Sequence, residues 1–191
     1  MDEAGRGPLA GPVSVAALYI DREADLSEIL SIVKKEDGFR DSKKLSVKKR
    51  EALFDAIKKN KHIHFAHYLS SAKYVDKHGI KKAIEKALSL SLKKLDASKE
   101  DEIALDGALC APSGFSWTST PKGDEKVLEI ALASIVAKVM RDKYMEKIAK
   151  KYPEYKFENH KGYGTKEHRE LILKYGICPE HRESFLRNIL S

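Results

Sequence analysis

Apolar residues follow two rhythms along this chain. VSVAALYI, within residues 11–20, is a run of β-branched and small apolar residues behind a proline and predicts a strand. HIHFAHYLS alternates Ile63, Phe65 and Leu69 on one face and predicts a second strand; EIALDGAL predicts a short third one ending in Asp106 and Gly107. Elsewhere the period lengthens to that of a helix. Ser46 is placed to cap a helix bearing Val47, Leu53, Phe54 and Ile57. GIKKAIEKALSLSLKKL puts Ile80, Ala83, Ile84, Ala87, Leu88, Leu92 and Leu95 on one side. VLEIALASIVAKVMRDKYMEKIAKKY predicts a long helix ended by Pro153, with Leu128, Leu132, Ile135 and Val139 as its buried stripe. Ser134, Lys138 and Arg141 form a second stripe, either phosphate-facing or solvated. Thr165 caps a last helix that stops at Gly176. Residues 21–40, and the Pro- and Gly-containing stretch after Gly107, read as polar connections. Strands alternating with helices predict an α/β fold.

At 191 residues the chain is long enough for one good core with a small appendage. No apolar run reaches membrane-spanning length and no leader with a cleavage site is evident, so a cytoplasmic protein with no membrane partner is expected. Cys110 and Cys178 lack CxxC spacing and read as reduced thiols. The 36 basic residues against 29 acidic ones leave a formal charge of +7, which favours a polyanionic partner.

Four acids stand where α/β proteins collect functional side chains: Asp2 and Glu3 at the N-terminus, Asp106 at a strand end, and Asp124 before the long helix. They are either scattered surface acids or a convergent set. Convergent, they repel one another unless divalent cations neutralise them, and hard oxygen donors suit Mg²⁺ or Mn²⁺. Two such ions about 4 Å apart would activate a water and stabilise a leaving oxygen. Gly5, Arg6 and Gly7 offer open backbone amides and a guanidinium to a phosphate, or form a tight turn. The Gly5, Gly7 and Gly11 run is not a dinucleotide-binding fingerprint, because prolines interrupt it and no helix follows. No GxxxxGK[ST] loop occurs, which disfavours an ATPase. In HIHFAH, His62 and His64 share one strand face and His67 the other, so a half-exposed strand is expected rather than a zinc site. Tyr163, between Gly162 and Gly164, is either a stacking ring for a nucleotide or a loop aromatic packed on the core.

Seven segments, in order, resemble the ribonuclease HII family, the type 2 ribonucleases H: DEAGRGPLAGPV, DSKKLS, LDG, KGDEK, ASIVAKVMRD, HKGYGT and HRESF. The resemblance implies an RNase H-like mixed five-stranded sheet flanked by helices over residues 1–150, with a small helical substrate-binding region over 151–191. It implies that Asp2, Glu3, Asp106 and Asp124 are catalytic and hold two divalent ions, Mg²⁺ or Mn²⁺. It implies that Gly5, Arg6 and Gly7 sense a ribose 2′-hydroxyl, that Tyr163 stacks at the RNA-to-DNA junction, and that Ser42, Lys43, Ser134 and Lys138 meet the phosphate backbone. The expected partners are RNA–DNA hybrids and duplex DNA containing ribonucleotides. Cutting on the 5′ side leaves 3′-hydroxyl and 5′-phosphate ends, in ribonucleotide removal and RNA primer removal by a monomer.

Two departures carry expectations of their own. The family runs an apolar strand into its first acid, whereas only Met1 precedes Asp2, so weaker metal binding and lower stability than in a longer relative are expected. Ala108 follows LDG where the family carries Asn, which loosens hydrogen bonding around the acid. Ribonuclease HIII and a non-catalytic hybrid-binding module are the alternatives.

Overall fold

A computed structural model describes residues 1–33, 45–107 and 109–190; Ser42, Lys43 and Ala108 lie outside the described residues. Strand β1 (Asp2–Ala4) pairs antiparallel with β2 (Val13–Ile20), and helix α1 (Ser27–Ile32) follows. Helix α2 (Val47–Lys59) begins at Ser46, whose hydroxyl accepts from the Lys49 amide, and leads to β3 (Ile63–Ser70). The helical run α3 (Ala72–Lys94) is broken at Gly79, so the predicted apolar face occupies its second part. Strands β4 (Glu102–Asp106) and β5 (Ser116–Thr120) pair in parallel. Then come the long α4 (Leu128–Ala149) and three shorter helices, α5 (Phe157–His160), α6 (Lys166–Tyr175) and α7 (Arg187–Leu190). Thr165 caps α6 through the His168 amide, and Gly176 ends it. No helix among the described residues is long and apolar enough to cross a membrane.

Both faces of β2 are buried, and its residues divide by alternation. Ala16 and Leu18 join the side formed by α1, α2 and α4, including Ile29, Leu53, Ile57, Leu132 and Ile135. Val13, Val15 and Ala17 join the side formed by α3 and β4, including Ile84, Leu88, Leu92 and Leu105. The result is a helix–sheet–helix sandwich. A third cluster, with Ala10, Met145, Ile148, Tyr155 and Phe157, attaches the C-terminal helices to the end of α4.

Among the described residues, the two strand groups, β1-β2-β3 and β4-β5, join through Met1. The Met1 amine donates to the Ala104 carbonyl at 2.8 Å, and the Asp106 amide donates to the Met1 carbonyl at 3.2 Å. Met1 thus begins a parallel pairing with β4, and the strand order becomes β3-β2-β1-β4-β5, the mixed five-stranded arrangement expected.

Three readings of the pattern need correction. The stretch after Gly107 contains β5, whose Ser-Trp-Thr-Ser-Thr sequence is mostly solvent-facing and carries no apolar alternation. Residues 21–40 include the short α1. The central turns of α4 are buried all round, from Ile130 to Ala137, because small alanines admit close neighbours on several sides. Ser134 and Arg141 are buried with them, so a solvated stripe does not exist there.

Beyond Met1, residues 17–20 of β2 and 102–104 of β4 do not meet. Between them lies a cleft of about 700 Å³ that Leu92, Leu95 and Ile103 also line. Burial pulls the Met1 amine at its foot down to about 6. Appending four to six alternating apolar and polar residues ahead of Met1 replaces this buried amine by an amide and covers the cleft. Calorimetry is expected to show a higher Tm, by about 2–4 °C for each kcal/mol gained. An unchanged Tm would mean that the cleft walls gain nothing from a longer β1.

Candidate active site

The acids gather through backbone connections made by the sheet. Asp2 follows Met1, whose carbonyl is held by the amide of Asp106 at the end of β4. Asp106 Oδ1 accepts from the Gly123 amide at 2.6 Å, which brings the next residue, Asp124, alongside. Asp124 is buried in a 3-10 turn (Gly123–Glu125) just ahead of α4, and Asp2 is buried on β1. Ser134 on α4 hydrogen-bonds the Asp2 carboxylate, and the Glu3 amide donates to Asp2 Oδ1 at 2.7 Å. Burial first, and then repulsion from Glu3 and Asp106, push Asp2 up to about 8. A buried carboxylate raised by its like-charged neighbours is a site that favours a cation. The all-oxygen donor set fits a hard divalent ion such as Mg²⁺ or Mn²⁺.

Beside the acids, the loop over residues 5–12 runs through the interior without regular structure, and two buried arginines satisfy it. Arg182 donates to the carbonyls of Gly5 at 2.7 Å, Arg6 at 3.0 Å and Gly11 at 2.9 Å. Arg141, on α4, donates to Pro12 at 3.0 Å, Ala10 at 3.0 Å and Lys161 at 2.9 Å. Gly5 has a φ of +87°, and a Cβ there would collide with the Arg141 side chain. The Arg6 side chain reaches outward, 47% exposed, with Nη1 3.2 Å from Glu3 Oε1; Gly7 is exposed beside it.

The same loop carries the Tyr163 turn. The Gly162 carbonyl accepts from the Leu9 amide at 2.8 Å and the Ala10 amide at 3.2 Å. Tyr163 is 42% exposed, with Lys138 Nζ 5.8 Å from its ring centre. Lys138 also pairs with Asp142 at 2.7 Å, and burial holds its amine below the usual lysine range. Behind Tyr163 runs a relay of neutral histidines. The Cys178 amide donates to His181 Nδ1 at 2.9 Å, so His181 carries its proton on Nε2 and gives it to His168 Nε2 at 3.1 Å. His168 then donates from Nδ1 to the Tyr163 carbonyl at 2.9 Å. Burial pushes both imidazoles down to about 4, which preserves this chain of donors at neutral pH.

Residues 1–188 match the family described as ribonuclease HII. The chain belongs to the ribonuclease HII family. Ribonuclease HII of Caldicellulosiruptor bescii is 47% identical over 191 residues, covering 100% of this chain and 87% of the relative. That of Caldicellulosiruptor saccharolyticus is 45% identical over 190 residues, with the same coverage. Among solved structures, the ribonuclease H2 of Pyrococcus horikoshii superimposes with a TM-score of 0.76 at 25% identity, covering 98% of this chain and 94% of its own. Membership makes this chain a ribonuclease H, and its fold is the family's.

Within this ribonuclease, Glu3 and Asp106 lie close enough to Asp2 for their charges to act on it, and Asp124 follows the Gly123 amide that bonds Asp106. Gly5, Arg6 and Gly7 lie on the adjoining loop, Tyr163 on the turn bonded to it, and Lys138 on α4. Ser134 is buried, and its hydroxyl hydrogen-bonds the Asp2 carboxylate. Arg141, which shared its predicted stripe, is a buried clamp on backbone carbonyls. Sequence reasoning missed the clamp role of Arg141 and Arg182; their place in the quoted segments ASIVAKVMRD and HRESF was the available signal.

The displaced Asp2 makes the metal-free protein pH-sensitive. Its carboxyl keeps a proton up to about pH 8 in the folded state, against 3.8 when unfolded. The folded state therefore binds more protons across that window, and the contribution is fully present below about pH 4 and lost as pH rises through 8. Without divalent ions, Asp2→Asn is expected to gain stability over the native chain between pH 5 and 9, read as a widening Tm gap. A gap constant with pH would count against a buried, like-charged Asp2.

Proposed function

We propose that this ribonuclease H cuts the RNA strand of RNA–DNA hybrids and cuts on the 5′ side of a single ribonucleotide embedded in duplex DNA, leaving 3′-hydroxyl and 5′-phosphate ends. The observation that carries this reading is the shared scaffold of acids and sugar-reading loop. Arg141 and Arg182 hold residues 5–12 against the β1 acids, and Gly162 ties the Tyr163 turn to the same loop.

In this reading Asp2, Glu3, Asp106 and Asp124 hold two divalent ions, Mg²⁺ or Mn²⁺, whose chemistry when bound is to activate a water and neutralise developing charge on the phosphodiester. The chain's own residues supply position. Exposed Arg6 and Gly7, carried by the buried Gly5 turn, are the part of this motif placed to meet a 2′-hydroxyl, the group that separates RNA from DNA at one sugar. The exposed Tyr163 ring takes the next, deoxyribose-bearing nucleotide by stacking, which the missing hydroxyl permits. Lys138 faces the phosphate beside it, with Ser42 and Lys43 as further contacts; Ser134 orients Asp2. Residues 1–150 then carry the cutting centre, and residues 151–191 the helical region that presents Tyr163. The formal charge of +7 favours the polyanionic substrate. We place the protein in the cytoplasm as a monomer that removes ribonucleotides from DNA and RNA primers.

The test uses end-labelled duplex DNA with one embedded ribonucleotide, alongside a long RNA–DNA hybrid, with Mg²⁺, Mn²⁺ or chelator. Metal-dependent cutting 5′ of the ribose is expected. Asp106→Asn should lower it about a thousandfold or more, roughly 4 kcal/mol of transition-state stabilisation, while leaving binding in place. Tyr163→Ala should lower single-ribonucleotide cutting about tenfold, within the range of one lost stacking contact, and hybrid cutting less. Tight binding without cutting would identify a hybrid-binding module; equal losses in Tyr163→Ala on both substrates would remove the stacking role.

A further inference from the structure

His62 and His64, expected to be ordinary half-exposed strand residues, meet a carboxylate at the far end of β2. Asp21 Oδ2 lies 3.2 Å from His62 Nδ1 and 3.2 Å from His64 Nε2. Glu23 Oε1 stands 3.9 Å from the same His62 nitrogen. Asp21, Glu23 and His62 each offer a donor atom within 4.8 Å of the other two. Alternation along β3 does place His62 and His64 on one face; the strand alone could not show that the β2 exit lays Asp21 between them.

We propose that this cluster is a binding site for a borderline divalent transition metal, with Zn²⁺ as its natural occupant. Donors about 2.0–2.2 Å from a tetrahedral zinc ion sit roughly 3.3–3.5 Å from one another, and the two Asp21–histidine distances are already near that spacing. One imidazole and two carboxylates in mutual reach, with the His64 imidazole beside Asp21 as a further donor, select zinc, nickel or cobalt over Mg²⁺, which prefers an all-oxygen shell. The frame is held before any ion arrives. The Asp21 amide donates to the His62 carbonyl at 2.9 Å, and the register pairs Tyr19 with His64. The Tyr19 ring stacks on His64 at 4.5 Å, fixing that imidazole. Asn60 Oδ1 accepts from the His62 amide at 3.0 Å, and its side chain donates to the Asp25 carbonyl at 2.8 Å, tying the turn before β3 to the chain after β2.

The cluster is separate from the candidate active site. Asp2 pairs with Ala16, and Asp21 lies five residues further along, about 17 Å at the rise of a strand. Glu23 is 70% exposed and Asp21 is 30% exposed, so an ion reaches the site directly from solvent. Bound there, it would clip the end of β2 to the start of β3 and act on stability rather than on cutting.

The experiment titrates the full chain with Zn²⁺, and with Co²⁺ as a spectroscopic probe, in millimolar Mg²⁺ to occupy the hard oxygen site. One equivalent is expected to bind, with a tetrahedral Co²⁺ visible spectrum and a rise in Tm. His62→Ala with His64→Ala should weaken binding at least tenfold and leave cleavage of an RNA–DNA hybrid in Mg²⁺ unchanged, whereas Asp106→Asn should leave Zn²⁺ binding intact. The conservative His62→Gln, with circular dichroism as the folding control, should weaken binding likewise. No saturable binding above Mg²⁺, binding that survives loss of both histidines, or binding abolished by Asp106→Asn would each overturn the proposal. The cleavage assay answers separately for the nuclease reading, so the two can fail independently.

Discussion

Two buried guanidinium groups, bonded to backbone carbonyls and, among the described residues, to no carboxylate, hold the functional end of this molecule together. Arg141 and Arg182 are fully buried, and between them they donate to six backbone carbonyls, five in residues 5–12 and one at Lys161. A loop cannot run through an interior unless its polar backbone is paired, and a buried carbonyl left without a donor costs about 1–3 kcal/mol. Burying the cations is costly in turn: desolvation, and then repulsion from Arg141, pull Arg182 down to about 9, still cationic at neutral pH. The carbonyl dipoles offset that cost, and the planar fork of arginine suits several acceptors at once.

The consequence is a site assembled from distant parts of the chain. The β1 acids, the Gly5–Arg6–Gly7 turn and the Tyr163 turn are neighbours because residues 141 and 182 bond the same loop and because Gly162 bonds Leu9 and Ala10. The histidine relay extends this order to the C-terminal segment. It depends on His168 and His181 staying neutral, which burial secures. Its role is to place the Tyr163 backbone while the ring remains at the surface.

The sheet shows the opposite economy, with very few bonds at its middle. β1 has three residues, and among the described residues Met1 makes the backbone bonds that tie β1-β2-β3 to β4-β5. Stability comes instead from the apolar layers on both faces of β2, where Val13, Val15, Ala16 and Ala17 are almost wholly buried. The acids rest on this thin join, so the backbone bond between Met1 and Asp106 sets the separation of Asp2 from Asp106 as much as their own side chains do.

Much was legible from the residues alone. The helix caps at Ser46 and Thr165, the buried run of β2 and the apolar face of α3 all follow from local chemistry that acts within a turn or a strand. The family resemblance placed the four acids and Tyr163 in a common function; in the fold, Asp2 feels the charges of Glu3 and Asp106, and the Tyr163 turn bonds the loop that follows β1. What stayed hidden depends on partners remote in sequence. Solvent-facing β5 has no apolar rhythm to reveal it, because its pairing energy is in the backbone. The arginine on α4 looks like any helical cation until six carbonyls are brought to it and its neighbour, and His62 and His64 look like strand residues until Asp21 arrives. By itself the sequence determined periodicity, caps, charge and family. Only tertiary structure decided which polar groups would be buried and with whom, because desolvation and hydrogen bonding act between groups that chain folding alone brings within reach.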